Sequence, residues 1–168
     1  MTGYKAWMLA AAMMAAGVAL PQAANAKDAA TCGSGMVCAS TPQTVVAAMK
    51  KAGWKADFGT DGVGDPKIES TLLGYNFTVL FYGCEDHKQC DSLQFYIGFE
   101  DDGKNTPALA NNWNKNKRFL QMAALDDGSL RVSYDVSTIG GINQANFADD
   151  LDWWQTMLGE LATFFKKG

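Results

Sequence analysis

The chain has 168 residues, of which 48% are hydrophobic and 19% are charged, and its formal net charge is −4 at pH 7. This balance excludes an intrinsically disordered chain, which would have few hydrophobic and many charged residues. The largest local basic cluster is Lys115, Lys117 and Arg118. The sequence therefore does not predict the positive surface that a nucleic-acid-binding protein requires.

The first 26 residues have the pattern of a cleavable export signal. Lys5 precedes an apolar stretch at 6–20, and Ala24 and Ala26 form the small-x-small pattern that predicts cleavage after Ala26. The stretch is shorter than the ~20 residues of an ordinary membrane span, so an uncleaved anchor is the less favoured alternative. We expect a periplasmic or secreted protein with no stable membrane insertion after cleavage. Removing 26 of the 168 residues leaves 142, which is the length of one domain.

All four cysteines follow this segment in two local pairs, Cys32 with Cys38 and Cys84 with Cys90. Four cysteines allow three connectivities, and the local pairing is the simplest in an oxidising compartment. Neither pair has the C-x-x-C spacing of redox catalysts. His87 lies midway between Cys84 and Cys90, so a metal site is an alternative, but zinc requires reduced thiolates. We therefore predict two structural disulfides and no metal or cofactor.

The predicted elements begin with a loose N-terminal arm at 27–40, which the first cysteine pair pins. Thr41 followed by proline predicts the start of a helix, and Gly53 predicts its end. The segment 54–73 is predicted to form two short strands separated by a turn-rich loop.

Alternating apolar residues over 75–82 and 93–99 predict a β-hairpin with one apolar face, clamped at its tip by the second cysteine pair. Thr106 followed by proline predicts a second helix that ends at about Arg118. The segments 119–125 and 129–136 predict a further hairpin around an Asp-Asp-Gly turn.

The last helix has the strongest apolar pattern. Trp153, Met157 and Phe164 lie to one side of its main stripe and are either core residues or a surface for a partner or a homodimer. The order of elements predicts an α+β domain over 41–168, with a mainly antiparallel sheet of about five strands and helices packed on it. The main stripe, which predicts burial, consists of Phe147, Leu151, Trp154, Leu158, Leu161 and Phe165.

Trp113 and Asn114, followed by Arg118 and Phe119, form a second group of candidate partner contacts. In a structural interpretation, the two aromatic rings belong to the core, Asn114 bonds to backbone and Arg118 pairs with an acid. In a functional interpretation, the group forms one wall of a groove for an extended peptide. Such a groove would need exposed aromatic side chains and an open sheet edge.

Three groups of residues resemble the YbjN-like family, and together they span about 41–166. The family is commonly labelled a "putative bacterial sensory-transduction regulator", and the resemblance implies no enzyme activity. It also implies a fold similar to that of the type III secretion chaperones, which are small α+β dimers that bind polypeptide segments. The matching residues are Phe81 to Cys84 with Cys90 and Leu93 to Phe99, Trp113-Asn114 with Arg118-Phe119, and Asn146-Phe147 with Leu151 and Trp154.

No catalytic motif in the sequence points to an enzyme. The chain has one histidine and lacks a G-x-S-x-G elbow, a phosphate-binding glycine loop and an H-E-x-x-H helix. Paired acids occur at 101–102, 126–127 and 149–150, but turns and a helix N-terminus account for them. We therefore expect a non-enzymatic exported domain that binds a protein or peptide partner in a chaperone-like or regulatory role. A small periplasmic inhibitor or ligand-binding protein is the alternative, and a thiol- or metal-dependent protein is a third.

Overall fold

The computed structural model describes residues 32–167, so the export signal predicted over 1–26 lies outside the described residues. Within 32–167, no helix is both long enough and apolar enough to cross a membrane. The elements in chain order are β1 (Met36–Val37), α1 (Pro42–Lys51), β2 (Asp57–Thr60), β3 (Pro66–Leu72), β4 (Tyr75–Tyr82), β5 (Ser92–Phe99), α2 (Pro107–Asn114), β6 (Gln121–Ala124), β7 (Leu130–Ser137), β8 (Ile142–Asn143) and α3 (Gln144–Lys167).

Six strands form the main sheet in the order β2-β3-β4-β5-β7-β6, with every neighbouring pair antiparallel. The turn between β3 and β4 has two successive residues with positive φ, Leu73 at 51° and Gly74 at 85°. Two such residues are typical of the type I′ turns that join two-residue hairpins. The α+β class with a mainly antiparallel sheet is confirmed, and the main sheet has six strands where about five were expected.

The hydrophobic core lies on one face of the main sheet, because alternate side chains of a strand point to opposite faces. Phe77 of β4 and Phe95 of β5 each lie with their ring centroid 5.4 Å from that of Trp154 on α3. The main stripe of α3 is buried from Phe147 to Leu161, as its spacing predicts. α1 packs against α3, and its buried residues Val45, Val46 and Met49 belong to the same core.

Residues 37–39 of the N-terminal arm are part of the core, so the prediction of a loose arm is wrong for its described part. β1 pairs with β8 in a separate two-stranded ribbon, and Val37 and Ala39 are fully buried. The Ala39 N–H donates to the Thr138 hydroxyl at 2.8 Å, and that hydroxyl donates to the Asp91 carbonyl at 3.1 Å. Neither two-residue strand was predicted, because an alternating pattern cannot be recognised over two residues.

The connection between α2 and β6 also differs from the prediction. α2 ends at Asn114 rather than near Arg118, and β6 begins at Gln121 rather than at Phe119. Phe119 has φ of 65°, and the Leu120 N–H donates to the Arg118 carbonyl at 2.7 Å. A hydrogen bond to the second residue back around a residue with positive φ is a classic γ-turn, which is rare and strained. This turn starts β6 two residues later than the apolar pattern indicated.

Candidate functional site

Trp113 and Asn114 close one edge of the main sheet. α2 lies beside the edge strand β6. The Trp113 Nε1 donates to the Leu120 carbonyl at 2.8 Å, and the Asn114 amide both donates to the Met122 carbonyl at 2.8 Å and accepts from its N–H at 2.9 Å. These bonds take the place of those that a further strand would make. An extended peptide therefore cannot pair with β6 at these residues.

Arg118 and Phe119 form an aromatic stack with Trp153 at the surface. The Phe119 and Trp153 rings are stacked at 4.3 Å between centroids, and the Arg118 guanidinium carbon lies 4.9 Å from the Phe119 centroid. A guanidinium in this position is attracted by the negative face of the ring. This contact takes the place of the pairing with an acid that the structural interpretation of the sequence expected for Arg118.

The second set of apolar residues on α3 is divided between core and surface. Met157 is only 5% exposed and belongs to the core. Trp153 and Phe164 are half-buried, and the Phe164 ring lies edge-on to Trp113 at 5.3 Å between centroids. Trp113 and Met157 are buried and the Asn114 amide is bonded to β6, so three of the six residues predicted as partner contacts have structural roles. Of the six, Asn114 and Arg118 are exposed, and Trp153 and Phe164 are partly exposed.

An apolar groove lies between the start of α2 and the end of α3. Its apolar lining comes from Phe99 at the end of β5, Leu109 of α2, and Phe164 and Phe165 of α3. The Phe99 and Phe165 rings meet edge-on at 5.5 Å between centroids. The cavity has a volume of about 910 Å³ and is open to solvent. We call this surface the α2–α3 groove.

The margin of the α2–α3 groove is polar and mainly acidic. It is formed by the loop 100–106 between β5 and α2. The Asn105 amide donates to the carbonyls of Glu100 and Gly128, both at 3.0 Å, so the β6–β7 turn is attached to this loop. Lys104 is the one basic residue in the loop and the turn together. Five exposed carboxylates lie on them, those of Glu100, Asp101, Asp102, Asp126 and Asp127.

The two disulfides lie at the opposite end of the main sheet. The structure joins Cys32 to Cys38 and Cys84 to Cys90, which is the local pairing that the spacing predicts. The His87 Nδ1 lies 2.8 Å from Asp65, so the β4–β5 loop is attached to the loop before β3. No group of three or more potential metal-ligating side chains occurs among residues 32–167.

Tyr134 and Asp150 form a partly buried hydrogen-bonded pair between β7 and α3. The Tyr134 hydroxyl donates to Asp150 at 2.6 Å. Burial, the hydrogen bond to Asp150 and the charge of Asp149 raise the pKa of Tyr134 well above its usual range. Burial also raises the pKa of Asp150, although the hydrogen bond from Tyr134 opposes that shift. A phenol held protonated is a hydrogen-bond donor rather than a base, so the pair attaches α3 to the sheet.

Comparisons with known proteins agree with the fold. The model of the YbjN family, described as "Putative bacterial sensory transduction regulator", matches residues 41–167. A solved structure described as "Crystal structure of YbjN, a putative transcription regulator from E. coli" is 14% identical in sequence, with a TM-score of 0.50. The match covers 70% of this chain and 84% of that one, and at this identity it shows the fold alone. No curated protein matches the sequence.

Proposed function

This chain belongs to the YbjN family, and we propose that it is a non-enzymatic regulatory domain that binds a polypeptide partner in the α2–α3 groove. The pattern of residues 1–26 and the two disulfides support an exported location, in the periplasm or outside the cell. The family description supports a regulatory role in general terms. The polypeptide partner is our own addition to that description.

The observation that carries the proposal is the exposure of large apolar side chains at one end of α3. Leu158 and Leu161 are fully buried, whereas Phe164 and Phe165, one turn further along, are only partly buried and line an open cavity. Phe99 reaches the same cavity from β5. An apolar surface with a polar margin is typical of a protein contact. We therefore assign partner binding to this groove rather than to the closed edge at β6.

A small apolar ligand is the second candidate, because about 910 Å³ lies within the ~300–1,000 Å³ that small-molecule sites occupy. This is the ligand-binding alternative that the sequence left open. A polypeptide agrees better with the open groove and its charged margin, since both can contact several side chains of a partner at once. A second copy of the chain is a further occupant, through Phe164 and the Trp153 stack.

Site-specific photo-crosslinking in the producing cells tests the proposal. A photoreactive residue replaces Ala108, which is exposed in the groove, and in a matched control it replaces Lys88, which is exposed at the disulfide end. We expect polypeptide adducts from position 108, loss of those adducts when Phe165→Asp is added, and none from position 88. Adducts at twice the chain mass would assign the groove to a homodimer. No polypeptide adduct at 108, or equal adducts at 108 and 88, would contradict the proposal.

A further inference from the structure

We propose that the partner segment is cationic, a short amphipathic peptide in which Lys or Arg residues accompany large apolar side chains. This inference rests on the proposed function, because it specifies what occupies the α2–α3 groove. Phe99, Leu109, Phe164 and Phe165 would receive the apolar side chains. The acidic margin would receive the positive charges.

The charge of the margin is mainly negative. Glu100 and Asp102 line the groove with Lys104, and three further exposed carboxylates lie on the same loop and the attached β6–β7 turn, those of Asp101, Asp126 and Asp127. None of the ion pairs among residues 32–167 involves these carboxylates. A concentration of one sign of charge beside an apolar surface attracts a partner of the opposite sign and selects against a like-charged one.

The acidic side chains are also held in fixed positions by their own turns. Asp101 accepts from the Gly103 N–H at 2.8 Å, and Asp102 accepts from the Lys104 N–H at 2.9 Å, each through Oδ1. A carboxylate offers about four acceptor positions, so each can still accept from a partner's Lys or Arg. Fixed carboxylates lose less side-chain entropy on binding than freely rotating ones.

Asp127 on the β6–β7 turn is held in the same way. Its Oδ1 accepts from both the N–H and the hydroxyl of Ser129, at 3.0 and 2.6 Å. These bonds lower the pKa of Asp127, so its carboxylate is charged at neutral pH. The Asn105 amide keeps this turn against loop 100–106 through the Gly128 carbonyl. The negative charges of the β6–β7 turn therefore lie beside those of loop 100–106.

Binding of three synthetic peptides to the full chain tests the inference. All three are labelled, have the same length and the same amphipathic leucine spacing, and differ only in carrying lysine, glutamate or serine at the polar positions. We expect the lysine peptide to bind at least tenfold more tightly than the serine peptide, and the glutamate peptide not to bind. Raising the salt concentration should weaken the lysine peptide selectively, because exposed charge pairs are screened.

Two charge-matched double variants show whether the groove is responsible. Glu100→Gln with Asp102→Asn removes two negative charges at the groove, whereas Asp86→Asn with Asp152→Asn removes two exposed charges elsewhere. We expect the first pair to weaken lysine-peptide binding about three- to tenfold, as for two exposed charge pairs. The second pair should change it less than twofold. Unchanged thermal melting would show that both double variants fold.

The remaining outcomes overturn the inference in distinguishable ways. If the serine or glutamate peptide binds as tightly as the lysine peptide, the charge preference is wrong and the inference is overturned. If both double variants weaken binding equally, net charge rather than the groove attracts the peptide, and the inference is overturned. If no peptide binds, the inference fails, and the crosslinks from position 108 then decide separately whether the proposed function fails with it.

Discussion

The two ends of the main sheet differ in how their loops are held and in where the apolar groove lies. At the disulfide end, the N-terminal segment, the β4–β5 loop and the segment after β7 are held by two disulfides, the β1–β8 ribbon and the hydrogen bonds of Thr138. At the groove end, hydrogen bonds such as those of Asn105 hold the loops, and Phe99, Phe164 and Phe165 stay partly exposed. The chain thus concentrates its cross-links at one end and has its apolar groove at the other. Open apolar surface is costly unless it has a partner.

Replacing aromatic residues along α3 should give the largest difference in unfolding free energy between a core position and a groove position. Trp154→Ala should lower the free energy of unfolding by about 3–5 kcal/mol, because Trp154 is fully buried against Phe77 and Phe95. Phe165→Ala should cost less than half as much, since Phe165 is only partly buried. Urea denaturation measures both values, provided that the slope of the unfolding free energy against urea concentration is the same in all variants.

Trp154→Phe is the control for this comparison. The Trp154 Nε1 makes no hydrogen bond in the described part of the chain, so the phenylalanine variant loses contact area but no polar partner. We expect a smaller loss of stability than for Trp154→Ala. If Phe165→Ala destabilises the protein as much as Trp154→Ala, Phe165 is a core residue and the groove is not an open site.

Removing the disulfide of the β4–β5 loop should affect stability and leave binding intact. Cys84→Ala with Cys90→Ala releases a loop whose ends are six residues apart, and the chain-entropy model predicts a loss of about 2 kcal/mol. Cys32→Ala with Cys38→Ala has the same separation and should lose a similar amount. In both double variants, the affinity for the lysine peptide should stay within about twofold of that of the original protein, because changes far from a binding site usually leave its contacts intact. A tenfold loss of affinity would show that the two ends are coupled.

Asn114→Ala should cost about 1–2 kcal/mol, because it leaves the N–H and the carbonyl of Met122 without their partner. Asn111→Ala on the same helix is the matched control, since Asn111 is exposed and should change stability by less than about 0.5 kcal/mol. Chemical denaturation measures both. Equal costs for the two variants would mean that the β6 edge does not depend on Asn114.

Asp150→Asn should have the smallest effect, and its effect should depend on pH. Burial raises the folded-state pKa of Asp150 above 3.8, so the native protein binds this proton more tightly than the unfolded chain. The stability that this proton contributes is complete below pH 3.8 and is lost as the pH rises through the folded-state pKa. Asparagine does not titrate, so the stability of the variant relative to the original should rise between pH 3 and pH 7. A difference that is constant with pH would contradict the raised pKa.

The sequence predicted best those features that repeat along one element. The alternating apolar residues of β4 and β5 predicted the central strands of the sheet, and the apolar stripe of α3 predicted its buried face. Thr106 caps α2 as expected, because its side chain accepts from the Leu109 N–H at 3.1 Å. Features that depend on distant segments were missed, because no local pattern records them. The β1–β8 ribbon joins segments that lie far apart in the sequence, at Met36 and Asn143, and the γ-turn at Phe119 places a bulky residue at a φ that no sequence rule indicates.

The groove could not be predicted from the spacing on α3 alone. The stripe includes Phe165 and excludes Phe164, yet both are partly buried. The reason is length: α3 has 24 residues and spans ~36 Å, whereas the eight residues of β5 span ~27 Å. The sheet therefore cannot cover the whole helix, and Phe165 contacts Phe99, the last residue of β5. Periodicity shows which side of a helix is apolar but not where its partner ends.

Hydrogen–deuterium exchange of the full chain, with and without the tightest-binding of the three peptides, locates the contact surface directly. If the groove end is the binding surface, exchange should slow in residues 99–112 and 161–167. The loops of the disulfide end, 32–41 and 84–91, should be unchanged. Slower exchange at the disulfide end, with no change around Phe99, Leu109 and Phe165, would contradict this division of the molecule.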